Sequence, residues 1–121
     1  MTIEHRIVWA EIPAADFGRA KAFYAAVLGE TLIDEEGGPN PIALLPYGGK
    51  GGRSANIYPG TPATAGAGPT IHLAVECKLA EAMTRIKGAG GQVVSDVITI
   101  PAGSFFYGID TEGNSIGIFE G

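Results

Sequence analysis

Between Ile7 and Ile12 a nearly continuous apolar run, broken only by Glu11, divides into two alternating sets, with Val8, Ala10 and Ile12 on one side and Ile7, Trp9 and Glu11 on the other. That period predicts a strand whose first set faces a core. Pro13 cannot donate to a sheet ladder, and Asp16 carries a carboxylate suited to the free N–H groups of a helix start, so a turn and a helix are expected next. Phe17, Ala20, Phe23, Tyr24, Val27 and Leu28 recur at helical spacing, and Gly29 stands where a left-handed C-terminal residue is wanted. Strands are predicted over 31–34, 42–47 and 53–58, with a loop over 35–41 and a hairpin turn in the GGKGG stretch of 48–52. That stretch lacks the Ser or Thr after its Lys, and the helix, that a phosphate cradle requires.

The plan then recurs. A shift of 61 positions carries Trp9 onto Thr70, Ile12 onto Leu73, Gly29 onto Gly90 and Leu32-Ile33 onto Val93-Val94. Ile71, Leu73 and Val75 alternate with Thr70, His72, Ala74 and Glu76, which predicts a half-buried strand. Leu79, Ala82, Met83 and Ile86 form a second helical stripe, with a poorer cap because Cys77 or Lys78 replaces Asp. Strands over 92–100, 104–110 and 115–120 follow, the last two joined by a turn at Asp110–Asn114. The expected fold is α+β, two β-α-β-β-β units (about 3–58 and 70–121) in a single domain over 1–121. Eight strands would form one curved sheet around a cleft, with both helices on the outer face. The cleft face would carry Trp9, Glu11, Asn56, Tyr58, Thr70, His72, Gly117 and Phe119.

Composition narrows the partners. The chain has 121 residues, 45% hydrophobic and 17% charged, so it is globular and apolar. A net charge of −5 argues against nucleic-acid and anionic-membrane surfaces, which need clustered Lys and Arg. No apolar stretch reaches membrane-spanning length and no leader pattern follows Met1, so a cytoplasmic location is expected. Cys77 is the only cysteine, which rules out an internal disulfide and a thiolate metal cluster; it reads as a small buried residue.

Three segments together resemble the vicinal oxygen chelate superfamily, which includes glyoxalases, bleomycin-resistance proteins and extradiol dioxygenases. They are D-x-x-x-A-x-x-F-Y-x-x-V-L-G from Asp16 to Gly29, A-G-G-x-V from Ala89 to Val93, and D-x-E-G-N-x-I-G from Asp110 to Gly117. The phrase V-W-x-E-I-P at Val8–Pro13 resembles the branch described as predicted lactoylglutathione-lyase-related proteins. The resemblance implies a metal site in active members, built from His, Gln or Glu. Its positions fall on Trp9, approximately Asn56, Thr70 and Gly117 here. None of these is a good ligand, so no metal and no cofactor are expected.

What remains is a cleft for a small aromatic or amphipathic molecule, contacted by Trp9, Asn56, Tyr58, Thr70 and Phe119. Trp9 has two possible roles, a wall for ring stacking or a large side chain filling the vacated metal site. The alternative function is a lyase or isomerase working through an unorthodox metal site or a Glu11–His72 acid–base pair. In that reading the pair meets because the two residues are equivalent in the two units; the plainer view is two solvated rim residues. The family also implies a homodimer.

Overall fold

The computed structural model describes residues 3–36, 41–48 and 54–120. The first unit runs β1 (Trp9–Ala14), α1 (Phe17–Leu28), β2 (Ile33–Glu35), β3 (Ile42–Leu44) and β4 (Ser54–Pro59). The second runs β5 (Ile71–Ala74), α2 (Leu79–Gly88), β6 (Gln92–Val93), β7 (Ile98–Ile100), β8 (Gly103–Ile109) and β9 (Ser115–Glu120). The expected turn at 48–52 lies outside the described residues apart from Gly48, as does much of the 35–41 loop.

Helix α1 begins and ends where local chemistry says it should. The Asp16 carboxylate accepts from the Arg19 amide at 3.0 Å, and Gly29 closes the helix at φ 77°. Helix α2 has no side-chain cap at Lys78, in line with its weaker signal. The two helices meet at the end of α1, where Arg85 of α2 donates to the Val27 carbonyl at 3.2 Å.

The strands form two sheets, ordered β1-β4-β3-β2 and β5-β9-β8-β6, with β7 also on β8. In each, the first strand of the unit lies at one edge and runs parallel to the last. Three expectations change. The first strand starts at Trp9 and continues through Pro13, which an edge strand tolerates because a ladder N–H is not needed there. The single strand predicted over 92–100 is two, making nine strands among the described residues. Its break is at Ser95, whose hydroxyl accepts from the Tyr107 amide at 2.9 Å in place of a backbone carbonyl. The curved sheet is present in outline as two sheets, of four and five strands, with no ladder between β1 and β5 among the described residues.

One core nonetheless serves both units. Ile12, Phe23, Tyr24, Val27 and Ile57 of the first half pack with Ile86, Phe106, Ile116 and Ile118 of the second, all at 1% exposure or less. Cys77 is only partly buried at the margin of this core. No helix among the described residues is long and apolar enough to cross a membrane.

Candidate functional site

The sheet faces turned away from the helices carry the residues singled out in the sequence, and β-pairing fixes their rows. Glu11 lies beside Asn56 across the β1–β4 ladder. His72 lies beside Gly117, and Gly117 beside Tyr107. Phe119 is opposite Phe105, and their rings stack at 6.2 Å. His72 packs edge-on against Phe105 and Tyr107, with centroids 5.2 and 5.8 Å away.

Between the open edges of β1 and β5 lies a groove of about 440 Å3. Its walls come from 7–10 and 71–74, closed at one side by Leu28 and by Leu45, Pro46 and Tyr47. Trp9 is 40% exposed on this groove and meets the Tyr47 ring edge-on at 6.3 Å. Its indole N–H donates to Asn56 Oδ1 at 2.7 Å. Asn56 is 3% exposed, and its Nδ2 has no partner among the described residues. The amide orientation is fixed by the indole, because Nε1 can only donate.

These contacts decide whether a divalent metal fits the positions that the resemblance indicates. Trp9 and Asn56 are bonded to each other. Thr70 Oγ1 shares a 2.6 Å hydrogen bond with Ser115 Oγ. Gly117 has no side chain, and a Cβ built there would clash with the His72 ring that lies against it. Among the described residues no three His, Cys, Asp or Glu side chains are grouped to hold a metal ion. The donor set does not fit a metal, so the indole, the amide and the imidazole are the chemistry left to consider.

The other predicted residues are dispersed. Tyr58 lies over Gly60, whose Cβ would meet its ring. Glu11 lines a separate hollow of about 140 Å3 with Pro13, Tyr24 and Asn114, beneath Gly68 and Pro69. No hydrogen bond or ion pair joins Glu11 to His72 among the described residues. The reason is their placement. Residues 7–10 face 71–74 at one end of the seam, whereas Glu11, Ile12 and Pro13 share the other hollow with Gly68 and Pro69. Glu11 thus lines the hollow at one end of the seam and His72 the groove at the other, so the two side chains lie in different cavities. Tyr47, absent from the sequence-based list, was signalled only by an aromatic residue following Pro46.

The motifs behind the resemblance converge elsewhere, at the far end of β1. Asp110 is 4% exposed, and its Oδ1 accepts from the amides of Glu112 (2.8 Å) and Asn114 (2.9 Å). Its Oδ2 accepts from the Tyr24 hydroxyl and from Asn114 Nδ2, which also donates to the Pro13 carbonyl at 2.9 Å. Glu112 accepts from the Asp16 amide at 2.7 Å and from two nitrogens of Arg19 at 2.8 and 3.0 Å. The Arg19 hydrogen bond lowers the Glu112 carboxyl to about 2, against the opposing effect of burial. Burial, reinforced by the neighbouring Asp110 carboxylate, pushes the Tyr24 phenol well above its ordinary value. Gly91 of the A-G-G segment is packed so closely that a Cβ would sit 2.8 Å from the Ile109 carbonyl oxygen and against Phe23. These motifs join the halves of the fold.

Two similar units, of four and five strands and one helix each, set their helices on one side and their first strands at a shared seam. This is the fold of solved proteins named for glyoxalase and bleomycin resistance. The family model described as bleomycin resistance protein-like N-terminal matches residues 6–38, the stretch from the approach to β1 through β2. Among solved structures, the hypothetical protein SA1046 from S. aureus superposes with a TM-score of 0.70 at 16% identity, covering 96% of this chain and 97% of that one. A glyoxalase/bleomycin resistance protein from Albidiferax ferrireducens T118 gives 0.66 at 20% identity, with coverage of 95% and 98%. A glyoxalase-related enzyme from Fulvimarina pelagi gives 0.66 at 16%, covering 95% and 87%. At these identities the likeness concerns the fold. No curated protein matches the chain in sequence.

Proposed function

We propose that this protein binds a small planar or amphipathic molecule in the groove between β1 and β5, without the divalent metal that active relatives use. The observation that carries this reading is the position of Trp9, a partly exposed indole on an apolar groove of about 440 Å3, held in place by Asn56. An exposed aromatic wall supplies apolar burial and ring stacking, and a few polar groups orient the ligand. His72 and Ser54 on the groove wall are such groups, while the Asn56 amide acts from behind by holding the indole. The same fold in proteins named for glyoxalase and bleomycin resistance is consistent with a small-molecule role.

Trp9 is the only tryptophan, so its emission reports on the groove alone. Titration with a panel of bicyclic aromatics is expected to give saturable quenching or a shift for some members. A panel in which none saturates overturns the reading. We further propose a homodimer, as the open sheet edges invite a second copy; light scattering on a sizing column is expected to return twice the chain mass, and a monomer at every concentration counts against it.

A further inference from the structure

We propose that the groove selects an organic cation, a planar or amphipathic molecule carrying an ammonium or similarly compact positive group. This rests on the reading of the groove as a ligand site. The groove does not end at Tyr47. A second hollow of about 330 Å3 shares Leu28, Pro46, Tyr47 and Ala74 with it and adds Glu30 and Glu76. Glu30 follows the end of α1 and Glu76 follows β5, so carboxylates from the two halves of the fold flank one apolar floor. No Lys or Arg stands among the described residues lining either hollow.

Three features act in the same direction on charge. The faces of Trp9 and Tyr47 are the negative side of the ring quadrupole, which attracts a cation placed over them. The two glutamates sit where a positive group would lie once the ring of the ligand occupies the Trp9 end. The whole chain carries −5, which draws cations toward the groove and repels anions. Exposed carboxylates and cation–π contacts are each modest, so together they are expected to favour a cation over its neutral counterpart by about five-fold.

The test uses three probes with one ring system and three charges: naphthylmethylammonium, naphthylmethanol and naphthoate. Binding is followed at low salt through the indole N–H resonance of Trp9, which is unique in the spectrum. The expected order of affinity is ammonium, then alcohol, then carboxylate. In the double variant Glu30→Gln with Glu76→Gln, the preference for ammonium over alcohol should shrink to the part the rings and the remaining net charge supply, and the alcohol should bind as it does to the native protein. Equal affinities in the native protein, or a preference for the ammonium that is undiminished in the double variant, overturn the inference while leaving the groove a ligand site. If none of the three moves the resonance saturably, the ligand site itself is wrong and the inference falls with it.

Discussion

At its C-terminal end β1 is locked, and at its N-terminal end it is open. Around Pro13 the carbonyl takes the Asn114 amide, and Asp110, Glu112, Tyr24 and Arg19 all have partners. Around Trp9 the strand edge has no ladder partner, Ile7 and Val8 are 78% and 53% exposed, and Asn56 Nδ2 is unmatched among the described residues. The residues that carry the family resemblance lie at the locked end. Trp9, the first of the positions at which that resemblance implies a metal ligand, lies at the open end. Architecture and chemistry are therefore carried by different residues, and a resemblance built on the first says little about the second.

The comparison is sharpened most by removing the acceptor at the centre of the locked end. Asp110→Ala leaves the Tyr24 hydroxyl, two backbone amides and one Asn114 contact without their partner in a buried site. We expect a loss of about 3–5 kcal/mol, and a fall of about 10 °C or more in Tm. Denaturant unfolding measures it; a loss below about 1 kcal/mol would mean that the network is not what joins the halves.

Two glycines extend the contrast. At Gly91 an added methyl meets the Ile109 carbonyl oxygen and the buried Phe23 ring, neither of which can move freely. Gly91→Ala is expected to cost about 1–3 kcal/mol as an overpacking change. At Gly117 the atoms nearest to the methyl belong to the exposed His72 ring, a side chain that can rotate away. Gly117→Ala should cost less than about 1 kcal/mol and should shift the His72 ring resonances. Equal losses at the two sites would erase the distinction between a locked and an open region.

How much of this was legible in the sequence depends on the range of the contact. Asp16 and Gly29 bound α1 as expected because capping is decided within one turn of chain. The apolar stripes marked the shared core because burial imposes its period on every helix and strand. The split at Ser95 was not legible, since a hydroxyl replacing a ladder carbonyl leaves no trace in the alternation. Nor was the locked network, whose Asn114–Pro13 bond spans 101 positions. The Glu11–His72 pairing shows the limit from the other side. A repeat offset identifies equivalent residues, but it does not say how the two units are set against each other, and here Glu11 and His72 line different cavities.

A smaller effect depends on pH. The Glu112 carboxyl is lowered in the folded protein from its ordinary 4.5 to about 2. Its contribution to stability is thus fully present above about pH 5 and is lost as pH falls through 4.5 toward 2. Glu112→Gln removes that dependence. The Tm difference between native protein and variant should be constant from pH 5 to 7 and should narrow toward pH 2. A difference that stays flat over the acid range would show that the Arg19 contact contributes no charge-dependent stability.

The stability change expected at Trp9 is also small, and it makes the sharpest test of the open end. The side chain is 40% exposed, so its truncation empties a groove already in contact with solvent and opens no sealed cavity. Trp9→Ala frees Asn56 Oδ1 from the indole, but water can then reach the amide from the groove. We expect a cost of about 1 kcal/mol, well short of the ~3–5 kcal/mol of a large core truncation. Ligand affinity should respond much more strongly. Stacking alone is worth about 0.5–1.5 kcal/mol beyond buried area, and the lost area adds to it, so binding of an aromatic probe should weaken about ten-fold or more. The indole reporter is gone in this variant, and the ring protons of His72 on the facing strand take its place. A variant that unfolds several kcal/mol more easily yet keeps its affinity within a factor of two would mean that the indole fills the fold and that ligands bind elsewhere.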